Sequence, residues 1–239
     1  MSYSNVHFIL FKPQLAENIG ACARALKNFN FSKLKIVSPK ISFPNEKVFA
    51  TSVGAKDIIN ASKVYSNFED AIKNANCVIA TSSRIRKKNF KHLSLTELRK
   101  INFRQKIAIV FGPEASGLTN NELSYANYVI KLPTNNKFQS LNLSHCVILL
   151  CYEIFKILNK KIKKIDSRCK NKQINKKELN KFVNFLVNSL DQIGFLQPDH
   201  KRKSMIENIR TIFHKMNLSD KEMRILLGII GSLKNKKVD

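Results

Sequence analysis

Apolar residues in the first two-thirds of the chain form short runs separated by helix-like stretches. Two of them, 77–80 (CVIA) and Ile107–Phe111 (IAIVF), are continuous and bounded by polar or Gly residues, while Val6–Phe11 (VHFILF), 34–37 and 128–132 are strand-like segments, the last two stopped at Ser38-Pro39 and Pro133. Continuous apolar runs of this kind suit strands covered on both faces of a parallel sheet. Between them, 18–29 sets Ile19, Cys22, Ala23, Leu26 and Phe29 at helical spacing, with Asn18 as the candidate cap. Further helices are predicted at 68–74, 95–101 and 120–126. This strand–helix alternation predicts an α/β fold. From 143 to 158 apolar residues nearly fill the segment, which predicts a buried helix with His145 in the core.

The pattern changes at position 160. Residues 160–177 hold nine basic residues and one acid, Asp166, and predict a solvated basic linker. Three amphipathic stripes follow. Leu179, Phe182, Val183, Phe185, Leu186 and Leu190 form the first. Met205, Ile209, Ile212 and Phe213 form the second, with Asp199 as its candidate N-cap. Met223, Ile225, Leu226, Ile229, Ile230 and Leu233 form the third, opened by Ser219 with Glu222 three residues on. The expected organisation is an α/β domain at 1–159, a linker at 160–177 and a helical extension at 178–239. An extension of this size is small for an independent core and is expected to lean on the main domain.

Charge narrows the partners. The 239 residues carry 42 Lys+Arg against 17 Asp+Glu, a net charge of +25. Such an excess favours a polyanion, because phosphate contacts supply sequence-independent affinity through counterion release. Lys outnumbers Arg 33 to 9, a bias that base composition alone also produces. An anionic membrane surface is the competing partner, but no long basic amphipathic anchor stands out. No run approaches the length of a membrane-spanning helix, and no signal-peptide layout opens the chain. Cys22, Cys77, Cys146, Cys151 and Cys169 are odd in number and lack C-x-x-C spacing. A cytoplasmic setting without a zinc site is expected. His7, His92, His145, His200 and His214 show no metal spacing, so no metal is expected.

Candidate chemistry gathers at strand ends, where open α/β sheets collect ligands. The first segment runs from Pro13 to Arg24. Gly20 and the small residues after it allow close backbone approach, and the helix start could receive a phosphate. The second is Thr81-Ser82-Ser83, whose hydroxyls can bond a ligand's polar edge or simply make a turn. The third is Phe111-Gly112-Pro113-Glu114-Ala115-Ser116-Gly117-Leu118, together with Leu132-Pro133-Thr134-Asn135 and Gln139-Ser140-Leu141-Asn142. It is neither a P-loop, lacking Gly-Lys-Ser/Thr, nor a dinucleotide fingerprint, lacking G-x-G-x-x-G.

Taken in order, these motifs resemble a known family. N-I-G-x-x-A-R-A-x-K-N at 18–28, T-S at 81–82, F-G-x-E-x-x-G-L-T-N-x-E-L at 111–123 and S-L-N-L at 140–143 are similar to the SPOUT RNA 2′-O-methyltransferases. The resemblance is narrower to the bacterial TrmJ-type tRNA (cytidine/uridine-32) 2′-O-methyltransferases, and it extends into the helical tail. It implies a SPOUT-type, mostly parallel sheet with a C-terminal trefoil knot, plus a small all-α extension. It implies an enzyme that moves a methyl group from S-adenosylmethionine to the 2′-hydroxyl of nucleotide 32 in the tRNA anticodon loop. The alternative is a related enzyme acting on another tRNA position or on rRNA. The family's cofactor positions match Thr81, Ser82, Ser83, Gly112, Gly117, Leu132, Gln139, Ser140 and Leu141. Its catalytic or RNA-placing positions match Asn18, Arg24, Glu114, Ser140 and Asn142. The family also implies a homodimer in which Arg24 reaches toward the other subunit's cofactor. One departure stands out: related sequences often read G-R-E-R where this chain has Gly112-Pro113-Glu114-Ala115, so two positive charges are missing. Gln139 likewise replaces a frequent Ser.

Overall fold

The structure, a computed structural model, describes residues 3–83, 90–159 and 173–235. Strands β1 (Val6–Phe11), β2 (Lys33–Val37), β3 (Lys63–Tyr65), β4 (Cys77–Thr81), β5 (His92–Leu93), β6 (Ile107–Phe111) and β7 (Tyr128–Ile130) form one sheet. Its order is β3-β2-β1-β6-β4-β7-β5, and every pairing is parallel. The central strand β6 is apolar at every position because both its faces are covered, and β1 and β4 each depart from this at one residue, His7 and Thr81. Along β1, Val6, Phe8 and Leu10 point into one core, while Ile9 and Phe11 point into the other. Along β6, Ile107, Ile109 and Phe111 enter the first core, and Ala108 and Val110 the second.

Helices α1 (Ala16–Asn28), α2 (Glu46–Thr51), α3 (Lys56–Asn60) and α6 (Leu143–Asn159) supply side chains to the first core. Helices α4 (Phe68–Ile72) and α5 (Asn120–Leu123) cover the second. Gly20 of α1 serves helix packing rather than a ligand. A Cβ there would stand 2.6 Å from Val48 O and 2.9 Å from Ser52 N, and would collide with the Thr51 side chain. The close approach this glycine permits is that of α2.

Several details differ from the sequence pattern. The segment read as a helix at 95–101 is a 3-10 turn, Thr96–Lys100. His145 is exposed rather than in the core, because the buried face of α6 is Leu143, Val147, Leu150, Cys151 and Ile154. Residues 84–89, between β4 and β5, lie outside the described residues.

Of the basic linker at 160–177, residues 160–172 also lie outside the described residues. Lys176 and Lys177 begin helix α7 (Lys176–Gln192), whose capping box is Asn175 with Glu178. Helices α8 (Asp199–Lys215) and α9 (Asp220–Asn235) complete the extension. The cap of α8 is Pro198, with Asp199 its first helical residue, and Ser219 bonds Glu222 at the start of α9 as expected. A small core of Ile174, Leu179, Phe182, Val183 and Leu218 receives Phe213, Met223, Leu226 and Ile230. The third stripe is only half buried, since Ile225, Ile229 and Leu233 are exposed.

The extension leans on the α/β domain through polar bonds. Lys176 N donates to Ala75 O at 2.9 Å and Lys177 N to Lys73 O at 3.0 Å. Asn127 Nδ2 donates to His214 O at 2.7 Å. Contrary to the solvated reading of the linker, the Lys176 side chain is fully buried, with Nζ 3.1 Å from His214 Nδ1. Burial pushes its pKa down to about 7.

Candidate functional site

Three strand-end loops converge on one cavity of about 430 Å³. Thr81, Ser82 and Ser83 follow β4, residues 111–118 follow β6, and Leu132, Thr134, Gln139, Ser140 and Leu141 follow β7. Adjacent parallel strands place these loops side by side at the carboxyl edge of the sheet. Cross-strand bonds fix them. Thr81 Oγ1 donates to Val110 O at 3.1 Å, and Ser82 N donates to Ile130 O at 3.0 Å.

The loop after β6 closes tightly on itself. Gly117 N donates to Pro113 O at 2.8 Å, and Gly117 adopts φ +66°. A Cβ on Gly112 would lie 2.5 Å from Leu118 N and 2.6 Å from Gly117 C. Both glycines of the motif are therefore dictated by backbone geometry. Thr119 and Glu122 then form the capping box that starts α5.

All nine residues matched to the family's cofactor positions line this cavity: Thr81, Ser82, Ser83, Gly112, Gly117, Leu132, Gln139, Ser140 and Leu141. Glu114 lines it as well. Its carboxylate also ties the cavity to α1. Glu114 Oε2 accepts from Gln14 N at 3.0 Å, and Oε1 from Asn18 Nδ2 at 2.9 Å. Asn18 Oδ1 in turn accepts from Asn142 Nδ2 at 3.0 Å. Asn142 Oδ1 accepts from Ser144 N and Oγ at 2.8 and 2.7 Å, at the start of α6. Asn18 is thus no helix cap. It is buried inside α1, where it bridges Glu114 and Asn142. Arg24 stands apart on the exposed side of α1 and does not line the cavity. It does not share a face with buried Asn18.

The sequence reading missed Cys146, although it too lines the cavity. Position 146 is one helical turn beyond Leu143, and that spacing was the available signal. Burial pushes the Cys146 thiol up to about 11, so it stays protonated at neutral pH and is a poor nucleophile there. The lining carries one carboxylate, Glu114, and no Lys or Arg among the described residues. A cavity of this size suits a cofactor, and this charge balance tolerates a cationic one. Hydroxyls from Thr81, Ser82 and Ser140 face apolar walls from Ile130, Leu132 and Leu141.

A parallel sheet with its ligand cavity at the carboxyl edge and a docked helical tail defines the class. The chain belongs to the SpoU rRNA Methylase family, whose model matches residues 5–152. Within that class, the TrmJ C-terminal domain model matches residues 177–239. The chain is 32% identical over 238 residues to a TrmJ of Pseudomonas aeruginosa named as a tRNA (cytidine/uridine/adenosine-2′-O-)-methyltransferase, covering 94% of this chain and 92% of that one. The crystal structure of TrmJ from Z. mobilis superposes with a TM-score of 0.85 at 28% identity, covering 96% of this chain and 99% of that chain. The SpoU methyltransferase AviRb from Streptomyces viridochromogenes, solved in complex with the cofactor AdoMet, shares the fold with a TM-score of 0.53. It is 17% identical and covers 66% of this chain and 59% of that chain. The fold is therefore the SPOUT-type parallel sheet with a helical extension.

Proposed function

We propose that the chain is an S-adenosylmethionine-dependent tRNA methyltransferase that modifies the ribose 2′-hydroxyl of nucleotide 32, acting in the cytoplasm as a homodimer. The observation behind this reading is the cavity in which every residue of the resemblance's cofactor set meets. The names of the TrmJ relative and of the AdoMet-bound neighbour agree with it. Thr81, Ser82, Ser83, Gly112, Gly117, Leu132, Gln139, Ser140 and Leu141 would hold the cofactor. When bound, it supplies a methyl group made electrophilic by a sulfonium.

The residues of the chain provide placement and electrostatics. Arg24 clamps the phosphate beside the target ribose, which a guanidinium can bind bidentately, and its charge favours the oxyanion that develops on the 2′-oxygen. It donates hydrogen bonds and takes up no proton, so the hydroxyl proton leaves to phosphate or water. Ser140 and Asn142 orient the ribose or the methionine end. Glu114 and Asn18 hold α1, and with it Arg24, in register with the cavity. Because Arg24 lies outside the cavity of its own subunit, the clamp acts on the cavity of the second copy. Exposed Ile148, Leu149 and Tyr152 on α6, which packs against α1, support a second copy on this face.

In the tail, two of the arginines are engaged within the protein. Arg202 is committed to Asp191 at 2.7 Å. Arg210 bonds Asn121 Oδ1 at 3.0 Å and lies over the Tyr125 ring. Exposed Lys201 and Lys203 remain as phosphate contacts. The test is incubation with unmodified total tRNA and methyl-labelled cofactor, followed by mapping of the methylated nucleotide. Label at ribose 32 is expected. Label on a base, at another position or nowhere refutes the reading. Arg24→Ala should lower methyl transfer by about 100-fold or more while calorimetric cofactor binding persists. Retained turnover removes Arg24 from its role.

A further inference from the structure

The turn at 134–139 combines rigidity with an unusual exposure. Phe138 N donates to Asn135 O at 2.9 Å, and Lys137 N donates to Asn135 Oδ1 at 2.9 Å. Gln139 Nε2 donates to Asn136 O at 3.0 Å, and Gln139 Oε1 accepts from Lys131 Nζ at 3.1 Å. Four bonds therefore pin a short hairpin, with Asn135 and Phe138 paired as an antiparallel bridge. Next to the tip, Phe138 is 76% exposed.

Its place matters more than its exposure, since single exposed apolar residues are common. Thr134 and Gln139, on either side of the tip, both line the cavity. Phe138 is therefore next in sequence to a residue of the cavity wall. The surrounding charge is one-sided: 131–142 contains Lys131 and Lys137 and no acid. A planar apolar ring set among lysines is what single-stranded nucleic acid meets, with bases stacking on the aromatic and phosphates pairing with the cations.

We propose that Phe138 is the stacking platform for the nucleobase at the modified ribose, holding that nucleotide at the cavity mouth; this rests on the RNA-methylation reading above. Stacking tolerates any base, because every base has a π-face. Phe138 therefore supplies affinity and placement without choosing between cytidine and uridine.

The chain has no Trp, so Phe138→Trp installs a sole tryptophan reporter. Its emission should be quenched by unmodified tRNA transcript and left unchanged by heparin, which brings charge without bases. Phe138→Ala should raise KM for the transcript about tenfold or more, leave the calorimetric Kd for S-adenosylmethionine unchanged, and be rescued by Phe138→Tyr. With an active wild type, an unchanged transcript KM in Phe138→Ala overturns the proposal, as does unquenched emission in Phe138→Trp. A weakened cofactor Kd with an unchanged transcript KM also overturns it, and assigns the ring to the cofactor. A wild type that transfers no methyl group to the transcript refutes the RNA-methylation reading itself, and the inference falls with it.

Discussion

Replacing Lys176 by Met should stabilise the protein and flatten its response to pH. Lys176 is fully buried at the seam between α7, α8 and the sheet, and among the described residues no carboxylate bonds it. Its neighbours are His214, whose own pKa is driven down by burial and then by Lys176, and the Cys77 thiol. His214 Nδ1 also lies 2.8 Å from Tyr125 O, which can only accept. Burial lowers the ammonium pKa from 10.5 to about 7, worth roughly 5 kcal/mol at about 1.4 kcal/mol per unit. The sign follows from proton counts. Between about 7 and 10.5 the unfolded chain holds the proton and the folded chain does not, so wild-type stability rises with pH across that window. Lys176→Met lacks this dependence and should be more stable by roughly 3–4 kcal/mol at pH ~7.5, with the gap closing to about 1 kcal/mol by pH ~10. Buried Cys22 and Cys151, whose pKa values are raised, pull the other way above neutral pH. They are common to both proteins and drop out of the difference. Urea unfolding of the two proteins at pH values from 7 to 10 reads that difference directly. A constant gap across the series, or a Met variant less stable than wild type near pH 7, refutes the view of Lys176 as a buried, uncompensated base.

Three other outcomes can be checked quickly. Gly20→Ala should cost about 2 kcal/mol or more in urea unfolding, since its Cβ must displace α2 backbone at Val48 and Ser52. Glu114→Gln should cost about 1–2 kcal/mol, because the amide presents a donor toward Gln14 N–H or Asn18 Nδ2 in place of an acceptor. It should also lower kcat while leaving the shape of the pH–rate profile unchanged. The pair Lys201→Ala and Lys203→Ala should weaken tRNA binding at low salt and reduce the slope of log K against log salt by about one to two, measured by filter binding.

The sequence made the centre of the sheet legible. β1 and β6 fall at Val6–Phe11 and Ile107–Phe111, as their apolar, β-rich composition predicts, because a strand covered on both faces leaves little room for polar residues. The stretch between β2 and α4 was silent. Its α2, α3 and β3 are six, five and three residues long, too short for either period to repeat. His145 shows a pattern present but overlooked: at about 100° per residue it lies roughly 200° from Leu143, opposite the buried stripe. Lys176 could not have been found this way. Nine basic residues within 160–177 describe a solvated stretch, and only packing against Ala75 and His214 singles out one of them. At the site, the cofactor set was legible through the motif resemblance, while the link from Glu114 through Asn18 to Asn142 joins residues 96 and 124 positions apart.

That link bears on what the motif residues do. Glu114 faces three N–H groups, from Gln14, Leu15 and the Asn18 amide. Through them Glu114 ties the loop after β6 to the start of α1. Its effect on the reaction runs through position. Arg24 follows Asn18 by six residues on the same helix, about 9 Å along its axis. Any slip of α1 against the cavity loop carries the guanidinium with it, and misplacement by about 1 Å can cost on the order of 100-fold in rate. Asn142 extends the same constraint to the first turn of α6, so the two helices beside the cavity and the loop after β6 are fixed by a single chain of side chains. On the role proposed for Arg24, an asparagine or glutamate away from the reacting atoms can then be as necessary as that arginine. This gives a physical reason why N-I-G-x-x-A-R joins a buried amide to an exposed cation.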